Sequence, residues 1–182
     1  MTSIDHKKEA DKAFNNAQKN ITKSKNKLMR MIFGDTYTEN KLIDSVEYLN
    51  VTIRKYKLSK TFDKYIEALI LKSEIEKETK DYLYTQTLLE IADHFSQKNH
   101  YNEEKILLYY NLALTHCFDN NIDRIYSIYE KIIHIYEKSG NNDEVIKLCE
   151  KIMDEYGHLL NERSTRGNNN KLCLLLLTRA RE

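Results

Sequence analysis

Six histidines, three cysteines and 28 carboxylates supply this chain with the side chains that bind metals and move protons. Their spacing does not gather them. Neither the HExxH pair of a zinc protease nor the phosphate-cradling GxxxxGK[ST] and GxGxxG loops, nor the GxSxG of a serine hydrolase, is present. His116 and Cys117 are neighbours, but consecutive residues point to different sides of a helix, so ordinary packing accounts for them better than joint ligation. Glu74, Glu76 and Glu78 alternate with Lys72, Lys77 and Lys80 and read as a solvated helix face. Cys117, Cys149 and Cys173 are odd in number and lack a CxxC spacing, which indicates neither a disulfide framework nor a zinc knuckle and fits a reducing compartment. The sequence predicts no catalytic residue, no metal site and no cofactor. A binding protein is the expected class.

One segment stands out chemically. Lys25 to Gly34 sets Leu28, Met29, Met31, Ile32 and Phe33 around Arg30, directly before a glycine and between two polar helical patterns. The plain reading continues the first helix into a core. The alternative is a membrane-touching loop, because apolar residues occupy every side of this stretch whereas the helix before it uses a single stripe. Burying one apolar side chain fully is worth roughly 1.5–3 kcal/mol, and a basic residue near anionic lipid about 1 kcal/mol. Partial insertion of this segment, helped by Lys25, Lys27 and Arg30, therefore gives reversible attachment rather than an anchor.

The elements that carry these residues follow from periodicity. Ala10, Phe14, Ala17 and Ile21 mark a first helix, with a break expected around Gly34. Leu42, Val46, Leu49, Ile53 and Tyr56 share one stripe of a second. Phe62, Ile66 and Leu69 begin a third that runs out through the charged residues 72–80. Tyr84, Leu88, Ile91 and Phe95 make a fourth, and Ile106, Tyr110, Ala113 and Cys117 a fifth. The sixth holds two adjacent stripes, Ile125, Ile128, Ile132 and Ile135 beside Tyr126, Tyr129, Ile133 and Tyr136, so burial over a wide arc is expected. Val145, Leu148, Ile152 and Tyr156 make a seventh, closed by Gly157. Asp81, Asn102, Asn121 and Asn142 are apt N-caps, and short links between helices of similar length give antiparallel neighbours. The expected fold is all-α: a right-handed, tetratricopeptide-like solenoid of antiparallel helical hairpins with about seven to eight helices, although the Trp and Pro of the tetratricopeptide consensus are missing. Its organisation is a basic N-terminal helix with the apolar membrane-contact loop (1–34), a helical array (35–158), a polar linker (159–170) and a short final helix or tail (171–182).

Composition agrees with this reading. Proline and tryptophan are absent and glycine occurs four times in 182 residues, so the punctuation that strands and hairpins need is scarce. Residues 1–34 carry eight basic against three acidic side chains, a net of +5, while the rest carries 21 against 25, a net of −4. That asymmetry points to a basic end meeting an anionic membrane or an acidic partner. The overall net charge of +1 speaks against a dedicated nucleic-acid binder. With no apolar signal core and no run long enough to span a bilayer, the expected location is cytoplasmic, with any membrane contact peripheral.

The order of these features resembles the N-terminal part of the SNAP family, the soluble attachment factors of SNARE disassembly. Glu9-Ala10-Asp11-Lys12 through Asn20, then Leu28-Met29-Arg30-Met31-Ile32-Phe33-Gly34, are similar to that family's first helix and apolar loop. Lys55-Tyr56-Lys57-Leu58-Ser59-Lys60-Thr61-Phe62 resembles its link between the second and third helices, and Leu89 to Lys98 the end of its fourth. The likeness runs to about residue 100. It implies an adaptor whose loop, here Leu28, Met29, Arg30, Met31, Ile32 and Phe33, touches an anionic membrane surface, and whose basic face, here Lys60 and Lys98, grips the SNARE four-helix bundle. Arg30 and Met31 stand where the family has small residues. The family's acidic, leucine-containing terminus is not reproduced at Lys171–Glu182, so the resemblance implies a shortened version and does not carry stimulation of the NSF-type ATPase with it. A helper or competitor of a full-length relative in vesicle trafficking and membrane fusion is the expected role. The other expectation is a generic helical scaffold that binds a peptide or partner helix and has no membrane role.

Overall fold

The structure, a computed structural model, describes residues 2–79, 82–117 and 122–162, with Ile122 and residues 157–162 by backbone alone. It is all-helical, with no strand among the described residues: α1 (Ser3–Ser24), α2 (Lys27–Leu58), α3 (Phe62–Thr79), α4 (Tyr84–Phe95), α5 (Glu103–Thr115), α6 (Ile122–Ser139) and α7 (Asn142–Glu162). The chain forms two compact units, residues 1–116 and 117–182. In the first, α1 to α5 pack each against the next, as stacked helical hairpins do; in the second, α6 packs on α7.

Small residues set the first hairpin. Ala10, Ala13 and Ala17 line the buried face of α1 and let α2 approach closely, while Leu42, Leu49 and Tyr56 fill the space beyond them. Thr2 starts α1 with a reciprocal cap: the Asp5 amide donates to Thr2 Oγ1, and the Thr2 amide donates to the Asp5 carboxylate at 3.0 Å. Three contacts fix the antiparallel register, Ser3 Oγ on the Ser59 carbonyl (3.4 Å), Ser45 Oγ on the Ala17 carbonyl (3.4 Å) and Lys55 Nζ beside His6 Nδ1 (3.5 Å).

Tyrosine hydroxyls tie the helices together across these interfaces. Tyr56 of α2 donates to Asp11 of α1 at 2.7 Å, Tyr65 of α3 to Glu90 of α4 at 2.7 Å, and Tyr110 of α5 to Asp93 of α4 at 2.6 Å. Each ring is buried while its polar tip finds a charged acceptor, which satisfies a group that would otherwise cost free energy on leaving water. Two histidines repeat a ring contact. Phe62, the first residue of α3, lies 6.1 Å from His94 near the end of α4, and Tyr84, the first of α4, lies 5.0 Å from His116 just after α5. The expected packing role of His116 is thus met by a ring contact.

In the second unit both stripes of α6 are buried, Ile125, Ile128, Ile132 and Ile135 as well as Tyr126, Tyr129 and Ile133. Val145, Cys149 and Ile152 of α7 are buried too, and Tyr156 meets the rings of Tyr126 and Tyr129 at 6.2 and 6.3 Å.

Several expectations need correction. The chain breaks at Lys25–Asn26 as well as at Gly34, and the apolar segment between the two breaks is a short helix, not a loop. Asn26 causes this: its side-chain oxygen accepts from the amides of Leu28 (2.9 Å) and Met29 (3.3 Å), and the residues that follow are good helix formers. Gly34 makes the expected break as a kink inside α2, at φ 77 and ψ −178. Glu76 does not belong to a solvated face; it is fully buried, with Lys72 at 3.4 Å one turn earlier, because it shares the inward side of α3 with Leu69 and Ser73. Asn102 caps α5 as expected, through the Lys105 amide at 3.0 Å, but α7 already includes Asn142 and its first turn is closed on the Asn141 carbonyl. α7 also runs through Gly157 to Glu162, so the polar linker expected at 159–170 begins inside a helix. The rest of that linker, the final helix or tail at 171–182, and the caps Asp81 and Asn121 lie outside the described residues.

Candidate functional site

The α1–α2 register brings Ser24, the last residue of α1, level with the Thr38 region of α2, so residues 25–37 lie beyond the end of α1. They form the tip of the hairpin. Lys27 to Phe33 is a short helical segment there, and Gly34 swings the chain back into the long arm of α2. Two pairs straddle the kink: Arg30 Nε donates to Asp35 Oδ1 at 2.5 Å, and the rings of Phe33 and Tyr37 lie 5.1 Å apart. The backbone at Gly34 is in a region only glycine enters readily, and a Cβ placed there would meet nothing within 4 Å. Conformation alone therefore demands the glycine.

The tip is uncovered. Leu28 is 61% exposed, Met31 84%, Ile32 61% and Phe33 55%. Met29 is half-buried and Arg30 exposed, with Lys25 and Lys27 exposed beside them. Four large apolar side chains in sequence proximity, fringed by cations, make a patch of the kind that soluble surfaces seldom leave open without a use.

Lys60 and Lys98 are elsewhere. Lys60 is the exposed α2–α3 turn, and Lys98 is exposed in the α4–α5 turn. The 5.4 Å contact between Phe62 and His100 puts these two turns at the same end of the unit. From Asp35 to Leu58 the long arm of α2 has 24 residues, or roughly 36 Å at the helical rise, so the lysine end and the apolar tip are opposite ends of one hairpin stack. They cannot form a single site. Lys60 itself has φ 55. It closes α2 in a Schellman turn, the Thr61 amide on the Tyr56 carbonyl at 3.0 Å and the Lys60 amide on Lys57 at 3.2 Å.

Behind the lysine end sits an aromatic cluster that periodicity does not reveal. His94 is buried, stacked on His100 at 4.6 Å, and flanked by Phe62, Tyr65 and Phe95. Burial, reinforced by the charge of His100 and opposed by Asp63, lowers the His94 pKa below its usual 6.5. The six-residue separation of the two histidines spans a helix end, so no regular spacing announces the pair.

Among the described residues no group of three or more His, Cys, Asp or Glu is arranged to hold a metal ion, and no helix is long and apolar enough to cross a membrane. Comparison with protein-family models, with curated proteins and with solved structures gives no match.

Proposed function

We propose that this protein is a SNAP-like adaptor that binds SNARE complexes at membranes, in vesicle trafficking and membrane fusion. The observation that carries this reading is the uncovered apolar tip of the first hairpin. Leu28, Met31, Ile32 and Phe33 face water together at the end of the first hairpin, and a lipid surface is the environment that would receive them. Two more observations support it. The cations beside the tip, Lys25 and Lys27, suit an anionic headgroup layer, and Lys60 and Lys98 share the opposite end, where an acidic helical bundle held above the membrane would meet them. The likeness to the family's N-terminal part supplies the identity of that bundle. An NSF-type ATPase belongs to the proposal only as the machine with which a full-length relative works, this chain acting as helper or competitor.

Liposome flotation and pull-down test the two ends separately. A Leu28→Ser, Phe33→Ser double variant should lose flotation while keeping its helical circular dichroism, and a Lys60→Glu, Lys98→Glu variant should lose capture on assembled SNARE bundles. Equal flotation of the first variant and wild type defeats the membrane contact; wild-type capture no better than background defeats the SNARE assignment. A scaffold for a partner helix is the second reading, favoured by Ile43, Val51 and Leu58, which share an exposed face of α2. It stands if neither wild type nor the tip variant floats and bundle capture fails.

A further inference from the structure

We infer that the outer face of α1 is a second membrane contact, a lysine stripe that lies on anionic phospholipid headgroups and orients the protein on the bilayer. The inference deepens the membrane reading above and rests on it. Lys8, Lys12, Lys19 and Lys23 follow one another at spacings that keep them on one side of the helix, with Asn15 and Thr22 between them. All six are exposed, and the side they occupy is directly opposite the buried stripe Ala10, Ala13, Ala17 and Ile21. From Lys8 to Lys23 the stripe is roughly 22 Å long at the helical rise. A shallow open groove lined by Asn15, Gln18, Lys19, Thr22 and Lys23 runs along its C-terminal half.

The fold turns two of the three nearby acids away from this face. Glu9 turns to Lys55 of α2, and Asp11 turns to Lys64 of α3 (2.6 Å) and to Tyr56 (2.7 Å). Asp5, one turn before Lys8 on the same side, stays exposed, and the amide and hydroxyl of Thr2 at 3.0 and 2.8 Å hold its pKa below the usual 3.8, so one negative charge remains at the stripe's N-terminal end. Among the described residues none of the four lysines has a carboxylate at ion-pair distance, whereas Lys41, Lys55 and Lys64 of the neighbouring helices each do. Pairing Glu9 and Asp11 with lysines of the neighbouring helices leaves the stripe's lysines outside, which concentrates the N-terminal charge excess on one straight edge.

A straight, unpaired cationic edge attracts polyanions in general; what commits it to lipid is its continuation. The stripe ends at Lys23, and the chain passes through Lys25 and Lys27 directly into the exposed apolar tip. A nucleic acid would satisfy the lysines and leave Leu28, Met31, Ile32 and Phe33 in water. An anionic bilayer takes both, headgroups along the stripe and the acyl boundary at the tip.

The test compares vesicles of phosphatidylcholine alone with vesicles in which about one-third is replaced by phosphatidylserine, a proportion that gives a strong surface potential. Wild type should partition at least about tenfold more strongly onto the serine vesicles, a preference that fades as salt rises. Changing Lys8, Lys12, Lys19 and Lys23 together to Gln should abolish the preference, whereas changing Lys131, Lys138, Lys147 and Lys151 of the second unit, with the same loss of charge, should leave it. Circular dichroism checks that each variant keeps its helices, and two paired variants, Lys8→Gln with Lys12→Gln and Lys19→Gln with Lys23→Gln, give intermediate losses if the quadruple variant is poorly folded. The inference is overturned if the stripe variant retains the preference, if the control loses it equally, or if a short duplex DNA binds through the same lysines while serine vesicles do not. The Leu28→Ser, Phe33→Ser variant separates the two contacts: if it binds serine vesicles as wild type does while the stripe variant fails, the stripe stands and the tip reading falls.

Discussion

Lys60 adopts a left-handed conformation that costs a residue with a Cβ about 1–2 kcal/mol, and it does so where the α6–α7 turn uses Gly140. The two turns are built alike. Tyr56-Lys57-Leu58-Ser59-Lys60-Thr61 and Tyr136-Glu137-Lys138-Ser139-Gly140-Asn141 each return the last residue's amide to the tyrosine carbonyl, at 3.0 and 2.9 Å, and each serine hydroxyl donates to that same carbonyl. Glycine in place of lysine would remove the strain but also loosen the unfolded chain, so Lys60→Gly should raise stability by a net of up to about 1 kcal/mol. A higher urea midpoint at unchanged slope is the expected reading, and a loss instead would mean that the lysine side chain makes a compensating contact. At this scale the sequence was only partly legible. Lysine does not advertise a positive φ as glycine does, so Lys60 could be read as a basic side chain but not as a strained one. The His94–His100 stack was hidden for a similar reason, its partners being brought together by a turn and not by a helical repeat.

Helices were the most legible elements, because the stripes of α2, α4 and α6 are long and uninterrupted, and their residues are buried except for the half-buried Val46, Phe95 and Tyr136. Boundaries were less so. Gly34 does interrupt the helix as its type suggests, but α1 ends ten residues earlier, where Asn26 caps a further short helix that periodicity does not announce. Glu76 misled for a different reason: alternation with lysines suggests solvent, but only the 3.6-residue geometry decides which of three glutamates turns inward. The kink that Gly34 does make is open to test. Its φ 77, ψ −178 backbone is nearly closed to other residues, so Gly34→Ala should cost about 1–3 kcal/mol. Gly140→Ala, at φ 74 in an ordinary left-handed turn, should cost about 1–2 kcal/mol. Urea unfolding of the two variants ranks them, and an undiminished stability for Gly34→Ala would mean that the tip straightens into α2 at no cost, which would also change how it presents Phe33.

For the whole molecule, pH is the variable that adds these local effects together. His94 is held neutral by burial and by the neighbouring His100, so its folded pKa lies below the unfolded 6.5 and the unfolded chain binds more protons there. The stability it contributes is present above pH 6.5 and is lost as pH falls through the folded value. Asp11, lowered from 3.8 by the hydrogen bond from Lys64 and then that from Tyr56, adds a second loss below pH 3.8 by the same sign. Tyrosines act in the opposite direction. Tyr129 is pushed up to about 12, chiefly by burial and then by Glu155, and Tyr56, Tyr65 and Tyr110 are raised further by burial and their carboxylate acceptors. Their contribution is complete below pH 10 and disappears as pH climbs through the folded values. Thermal midpoints should therefore form a plateau between about pH 7 and 10 and fall on both sides. The acid shoulder nearest neutrality should be absent in His94→Phe, which keeps a ring among Phe62, Tyr65 and Phe95 but cannot take up a proton, while the drop below pH 3.8 should persist in that variant and shrink in Asp11→Asn. If His94→Phe retains the full slope just below pH 6.5, the buried stack is not what the molecule loses first in acid. On the alkaline side tyrosinate absorbance should lag behind free tyrosine until the helical signal itself collapses; its full development near pH 10 with the helices intact would show that the rings of the array are not shielded as their burial requires.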